Sequence, residues 1–426
     1  MILINHSCIR GNYSYQSFVH SCIRGNDSKK SFVHSWQLFP AFIRAFVAMI
    51  PRNHSCIRGN YSQQSFVYSW QLFRHSLYFC RMFENKENRT ELSSLGEFGL
   101  IDHLASFVEL KNSESVKGIG DDAAVINNEG DATVVSTDML VEGVHFDLTF
   151  QPLKHLGFKA VAVNLSDIYA MNAIPKQIVV AVALSNRFSL EAIEELYEGI
   201  QMACDKYSVD LVGGDTTTST AGLVISITAI GRAKKEDIVY RSGANVGDLI
   251  CVSGDLGGAY VGLQLLEREK RIFLENPKIQ PDLSNADYIL ERQLKPEPRR
   301  DIIEKLKQAK VHPTSMIDVS DGLSSEVMHL CKQSGTGCTL YEDKFPIDPQ
   351  TFEKAREFHL DPTVCALSGG EDYELLFTIK QDDYEKIRMH LDISIVGHMV
   401  AKEEGLHLVD KSGNQVKLEA QGWKAF

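Results

Sequence analysis

"HLGFKAVAVNLSDIYAMNA", residues 155–173, is the stretch whose reading decides the fold. Ala, Val, Leu, Ile and Met recur on every side of it, so the pattern predicts a helix buried inside the protein rather than lying on its surface. Pro175 is read as its stop. Asn164 and Asp167, three residues apart, share one face of this helix. A polar pair buried there costs several kcal/mol unless its bonds are met. Asp167 is therefore either a structural carboxylate, bonded to backbone or to a neighbouring hydroxyl, or a functional one.

Working outward, strand-like and helix-like segments alternate. "ATVVSTDML" (132–140) reads as a β-branched strand ending in a polar turn. "QIVVAVALS" (177–185) is a strand, and residues 189–207 form an amphipathic helix with Ser189 as N-cap. "VDLVGGDTTTS" reads as a strand running into a glycine loop, and "GLVISITAIGRA" as another strand. A second half repeats strand, glycine turn and helix at 247–267 and 315–335, with Gly335 a helix stop. "CALSGGEDYELLFTI" reads as a glycine loop feeding a strand, and residues 272–285 as an exposed connection. The fold class is α/β (α+β), with an N-terminal domain at 82–235 and a C-terminal domain at 236–426.

Acids sit at the ends of these elements beside Gly, Ser or Thr: Asp121 and Asp122 in "GIGDDAAV" (118–125), Asp138, Asp167, Asp215, Asp318 and Asp321. Alone, an adjacent Asp pair most often caps a turn. Here each acid borders apolar sequence expected in the core. Gathered at about 6 Å with an effective dielectric of about 20, each pair would repel by roughly 3 kcal/mol. Several would take up protons unless hard cations neutralised them. Mg²⁺ prefers carboxylate oxygen and keeps waters for substrate phosphates. The pattern points to a magnesium cluster serving two anionic substrates. The turns "GIGDD", "GGDTTTS" and "SGDLGGA" offer backbone N–H groups to phosphate. There is no P-loop, no protein-kinase signature and no Ser-His-Asp or Cys-His set.

Composition narrows the classes. The formal charge of −12 argues against nucleic acid as partner. No run is long and apolar enough to span a bilayer, and the start lacks the apolar core of a signal peptide. The nine cysteines show neither metal-binding spacing nor a disulfide framework, so free thiols and a cytoplasmic location are expected. Residues 1–81 differ from the rest, holding nine Lys/Arg and one acid, against 35 and 55 beyond. They repeat "HSCIRGN" three times and "SFV(H/Y)SWQLF" twice without a constant period, unlike a solenoid. This extension is expected to lie outside the fold; the alternative is a basic, aromatic arm.

In this order, "GEFGLI", "GIGDDAAV", "STDMLVEGVHF", "KAVAVNLSDIYAMNA", "LVGGDTTTS", "RSGA", "IDVSDGL", "SGGEDYELLF" and a terminal "GW" resemble the motifs of the bacterial thiamine-monophosphate kinases. That family belongs to the ATP-binding superfamily typified by aminoimidazole ribonucleotide synthetase. The resemblance runs from Gly96 to Trp423 and leaves residues 1–81 without a counterpart. It implies two α/β domains, a homodimer that joins the N-terminal sheets into a shared barrel, and transfer of phosphate from ATP to thiamine monophosphate with Mg²⁺. It places Asp122, Ser136, Thr137, Asp138, Asp167, Asp215, Asp318 and Asp321 at metal positions, with Asp122, Asp167 and Asp215 acting in catalysis through the metal. It places Gly214, Asp215, Arg241 and Ser320 where ATP is held, and His145, Glu371 and Trp423 where the thiamine substrate is held. No dedicated general base is implied. Plainer roles stay open: a half-buried histidine for His145, a surface ion pair for Arg241, a turn cap for Glu371, tail packing for Trp423. Rival functions are another enzyme of the superfamily, of selenophosphate-synthetase or hydrogenase-maturation type, or a sensor of thiamine phosphates or nucleotide without turnover.

Overall fold

A computed structural model of the chain describes residues 111–419 apart from 129, together with 99, 101–103, 105 and 106. The repetitive extension and Trp423 lie outside the described residues. Two sheets organise the rest. The first contains β1 (Ser115–Lys117), β2 (Ala124–Asn127), β3 (Asp131–Val141), β4 (Ile174–Leu184), β5 (Asp210–Thr218) and β6 (Val224–Lys234), in the order β1-β2-β3-β6-β4-β5. Its strands pair antiparallel except β4 with β5, which run parallel. The helix that begins the α/β pattern, α1 (Leu153–Ala170), links β3 to β4, and α2 (Leu190–Tyr207) links β4 to β5.

The second sheet is built from β7 (Leu249–Ser253), β8 (Ser315–Asp318), β9 (Gly337–Tyr341), β10 (Leu375–Ile379), β11 (Ile393–Val400), β12 (Leu406–Val409) and β13 (Gln415–Lys417), in the order β13-β12-β9-β11-β7-β10-β8. Around it lie α3 (Gly258–Glu275), α4 (Asp287–Leu294), α5 (Arg300–Ala309), α6 (Leu323–Ser334), α7 (Pro349–Glu357) and α8 (Pro362–Ser368).

The prediction for α1 holds: fourteen of its residues are buried. Its side chains Leu156, Leu165 and Ile168 share one apolar core with Ile225 and Ile227 of β6 and with Met316, Leu375 and Phe377 of the second sheet. The helix is thus wedged between the two sheets, which explains why it is apolar all round. It ends at Ala170, short of Pro175, because Asn172 adopts φ 55 and turns the chain. Pro175 lies inside β4. The expected glycine loop at "GGDTTTS" is strand: β5 runs through both glycines, and a Cβ on Gly214 would stand 2.0 Å from the Val180 carbonyl oxygen. "CALS" is also not loop but the end of α8, capped by the Asp361 side chain. Ser189 caps α2 by accepting from the Ala192 N–H at 3.3 Å, as its position suggested. The five described cysteines are all buried free thiols.

Helices α1 and α2 touch through backbone. A Cβ on Gly157 would meet the Leu196 carbonyl oxygen at 2.0 Å, and one on Gly199 would meet that of Lys154 at 1.9 Å. Both neighbours are main chain and cannot yield without moving a helix. Gly199→Ala is therefore expected to destabilise the fold by about 1–3 kcal/mol or more, read as a lower urea midpoint; an unchanged midpoint would show that the helices separate freely.

Candidate active site

The buried face of α1 presents the acids predicted from sequence. Oxygens of Asp122, Asp167 and Asp318 all lie within 4.8 Å of one another. They arrive from three places: the loop between β1 and β2, the last turn of α1 and the end of β8. Asp138 of β3 joins them, close enough to interact with Asp122 and Asp167. Strand alternation explains the set from β3. Ser136 and Asp138 point toward α1, where the Ser136 hydroxyl donates to Asp167 Oδ2. Thr137 points the other way, its hydroxyl bonded at 3.0 Å to the Ile227 carbonyl and at 3.0 Å to the Thr228 hydroxyl. The Thr137 side chain thus stands apart from the acids.

Neutral groups hold the cluster in place. Ser166 donates to Asp318 Oδ2 at 2.6 Å. Asn164 accepts from the Asp138 backbone N–H at 3.0 Å and donates to the Ala160 carbonyl at 3.0 Å. The polar pair noticed in the helix is accordingly satisfied. Arg241 grips Asp122 through both oxygens, at 2.8 and 3.1 Å, and its backbone N–H meets Asp121 at 3.0 Å. Arg241 is the internal counter-charge of the cluster rather than a surface ion pair. Asp121 sits behind, 3.3 Å from Lys117 Nζ.

One cation is not enough for four carboxylates. Burial, with the Asp122 charge beside it, pushes Asp318 up to about 8 and Asp138 up to about 6. Burial and the surrounding Asp138, Asp318 and Asp122 hold Asp167 well above the ordinary carboxylate range. These are the expected marks of acids awaiting a cation.

The cluster forms one end of a cavity of about 800 Å³. Asp138, Asp167, Asp318, Ser320 and Asp321 line that end, and His145, Gln293, Glu371 and Tyr260 line the remainder. His145 Nδ1 accepts from the Val141 N–H at 3.0 Å, which places its ring proton on Nε2. Glu371 belongs to a strained run: Gly370, Glu371 and Tyr373 have φ of 72°, 59° and 51°. Backbone bonds stitch this run to the continuation of β8, Glu371 N–H to Ser320 at 2.7 Å and Tyr373 N–H to Val319 at 2.9 Å. Between them, Asp372 caps the start of α3 through the Gly257 N–H at 2.7 Å, and Glu374 is bound by Arg292 at 2.8 Å and by Arg299. The alternation aims Glu371 and Tyr373 into the cavity and anchors the two acids between and beyond them.

Gly214 and Asp215 do not reach this cluster within the chain. Across the first sheet Asp215 pairs with Ala181, Ala181 with Ser226 and Ser226 with Met139. That register puts Asp215 on the face of the sheet turned away from α1, three strands from β3, or roughly 14 Å at the usual strand spacing. The expectation that Asp215 converges with the other acids fails here because β5 is the sheet edge and the side chain faces outward. Two residues that hold Glu371, one lining the cavity and one behind it, escaped the sequence reading. Lys159 is 1% exposed and meets Glu371 Oε2 at 3.0 Å, and Gln293 donates to the same oxygen at 2.9 Å. A lysine amid the apolar run Leu156–Val163 was the available signal for the first; nothing marked the second.

Residues 120–233 match the model of the AIR synthase related protein N-terminal domain. The Bacillus subtilis thiamine-monophosphate kinase is 32% identical over 78% of this chain and 100% of its own length. The Escherichia coli K12 thiamine-monophosphate kinase is 34% identical over 78% of this chain and 98% of its own. The chain belongs to the thiamine-monophosphate kinase family. Among solved structures, a ThiL protein complexed with AMPPCP and TMP superposes with a TM-score of 0.68 at 31% identity, covering 80% of this chain and 100% of that one. A hydrogenase maturation protein, HypE in complex with ATP, shares the fold alone, with a TM-score of 0.57 at 19% identity. The resemblance read from the motifs is borne out.

Acids with raised pKa values bind protons more in the folded than in the unfolded state. Stability of the metal-free protein should then fall as pH rises from about 4, the unfolded carboxylate value, to about 8, where Asp318 has ionised. In EDTA the melting temperature is expected to drop over pH 6–8, and millimolar Mg²⁺ to reverse most of the drop; a flat profile in EDTA would show that the acids do not repel.

Proposed function

We propose that the protein transfers the γ-phosphoryl group of ATP to thiamine monophosphate, giving ADP and thiamine diphosphate. The observation that carries this reading is the gathering of Asp122, Asp167 and Asp318 within 4.8 Å, with Asp138 beside them, where Asp138, Asp167 and Asp318 line a cavity, in a chain of this family.

The donor set fits Mg²⁺: closely spaced hard carboxylate oxygens whose protons are held against deprotonation for want of a cation. Asp122, Asp138, Asp167 and Asp318 would hold magnesium, with Ser136 orienting Asp167 and Asp321 at the cavity wall as a further ligand. When bound, the ions neutralise phosphate oxygens and align donor and acceptor for in-line transfer. Ser136, Ser166 and Asn164 fix the carboxylates before any ligand arrives. Arg241 limits their repulsion, and with Ser320 it is assigned to the ATP phosphates. His145 offers its Nε2–H and Glu371 its carboxylate to the thiamine moiety, and Trp423 is assigned to cover its ring. The acceptor is a phosphate monoester with a second pKa of about 6, already largely a dianion at neutral pH. No general base has to make the nucleophile.

The protein is proposed to work as a cytoplasmic homodimer, and no helix among the described residues is long and apolar enough to cross a membrane. On the open face of the first sheet Met139 and Val212 are 56% and 58% exposed, consistent with sheets pairing into a shared barrel. Such a dimer would carry Gly214 and Asp215 to a second copy, where they contribute to ATP and metal binding. The working enzyme is assigned to 82–426, divided near 235, with residues 1–81 outside it.

Purified protein with ATP and Mg²⁺ is expected to produce thiamine diphosphate from the monophosphate, and failure to do so overturns the assignment. Asp122→Ala or Asp167→Ala should each cut turnover by about a thousandfold, in line with the several kcal/mol that metal coordination supplies. A chain starting at Met82 should retain full activity. Met139→Glu should shift the light-scattering mass from dimer to monomer; an unshifted mass would place the interface elsewhere.

A further inference from the structure

A buried lysine beside a phosphate-binding cavity is normally assigned to phosphate. Lys159 points elsewhere. Its ammonium contacts Glu371 Oε2 at 3.0 Å and the Gln293 carbonyl at 3.2 Å. The Gln293 amide donates to the same Glu371 oxygen at 2.9 Å. Both bonds fall on Oε2, and among the described residues no hydrogen bond occupies Oε1. Glu371 lines the cavity with its side chain 28% exposed, whereas that of Lys159 is 1% exposed. Lys159 is therefore sealed behind the carboxylate, which stands between it and any ligand.

We propose that Lys159 is a positioning residue that sets acceptor specificity. With Gln293 it holds the Glu371 carboxylate in one rotamer, so that Oε1 meets the cationic or amine-bearing part of the phosphorylated substrate. Three features converge on this role. The backbone of Glu371 is in the left-handed region at φ 59° and is cinched to Ser320, so main chain and side chain are both restrained. A charge buried as deeply as that of Lys159 persists only with a partner, and its ionic partner is Glu371. Lys159 also stands on the same helix as Asp167, eight residues apart or about 12 Å along the axis. One rigid element thus fixes the separation between the phosphate end and the organic end of the cavity. The acceptor it selects is a phosphate ester whose positive or amine-bearing group lies at a set distance from its phosphorus.

This inference rests on the kinase reading above, and its test separates the two. Steady-state kinetics with ATP and thiamine monophosphate would be measured for the wild type, Lys159→Met, Lys159→Arg, Glu371→Gln and the Lys159→Met/Glu371→Gln double variant. Lys159→Met is expected to raise KM for thiamine monophosphate at least tenfold, leave KM for ATP unchanged and change kcat less than threefold. Lys159→Arg should recover most of the loss. The double variant should be no worse than Glu371→Gln alone, because the lysine acts through that carboxylate. Thermal melts accompany each variant, and if Lys159→Met fails to fold, the Lys159→Arg and Glu371→Gln pair carries the same comparison. A raised KM for ATP, or a fall in kcat with the acceptor KM unchanged, would put Lys159 on phosphate and overturn the inference. A wild type that makes no thiamine diphosphate sinks the kinase reading instead.

Discussion

Three carboxylates held within 4.8 Å of each other, with Asp138 as a fourth close enough to interact with them, repel, and much of the surrounding structure is arranged around tolerating that repulsion. The acids are spread over the β1–β2 loop, β3, α1 and β8, so the cluster forms only when the whole described fold closes. Hydroxyls of Ser136 and Ser166 and the side-chain amide of Asn164 accept or donate without adding charge. Arg241 supplies a single compensating cation through a two-point grip on Asp122. What remains uncompensated appears as the upward displacement of Asp318, Asp138 and Asp167. A site built to be electrostatically incomplete by itself is well matched to anionic substrates that arrive with cations.

The cavity has a division of labour along its length. At one end are hard oxygen donors on a floor formed by α1 and β8. Away from it are His145, Tyr260, Gln293 and Glu371, which suit a heterocycle more than a phosphate. The strained segment from Gly370 to Tyr373 ties the two ends together, since it is hydrogen-bonded to the continuation of the strand that carries Asp318. The acid within it and the one just beyond it are consumed in anchoring: Asp372 at the start of α3, Glu374 between two arginines. Strain at Glu371 is maintained here by anchored neighbours in sequence.

Much of this was legible in the sequence, and the failures have physical causes. The buried helix 155–173 announced itself by apolar residues on every face, and an Asp in such a helix had to be either satisfied or functional; it is both. Asp122, Asp138 and Asp318 could be grouped with it because each borders core sequence at an element end. Asp215 met the same criterion but lies apart from the others within the chain, because local sequence does not reveal which face of a sheet a strand residue takes or how far its strand lies from the site. Thr137, a metal position by resemblance, has its side chain on the face of β3 opposite Asp138, which strand alternation dictates. Pro175 was read as a helix stop although an asparagine at positive φ does that work three residues earlier. Gln293 was invisible because a polar residue in a short amphipathic helix has no distinguishing pattern. Lys159 stands out in the sequence as a charge among apolar neighbours, but sequence alone does not show which carboxylate it meets.

The reciprocal glycine contacts between α1 and α2 carry a consequence for how proteins of this architecture diversify. Main chain resting on main chain, with a sheet on either side, leaves α1 no room to pivot or slide. Accommodation of a bulkier or slimmer acceptor must therefore come from the facing wall, where Tyr260 and Gln264 of α3 and the chain from Gly143 to Phe150 meet the cavity. A change of acceptor fit would fall on that wall, while the packed helix holds the acid-bearing floor in place.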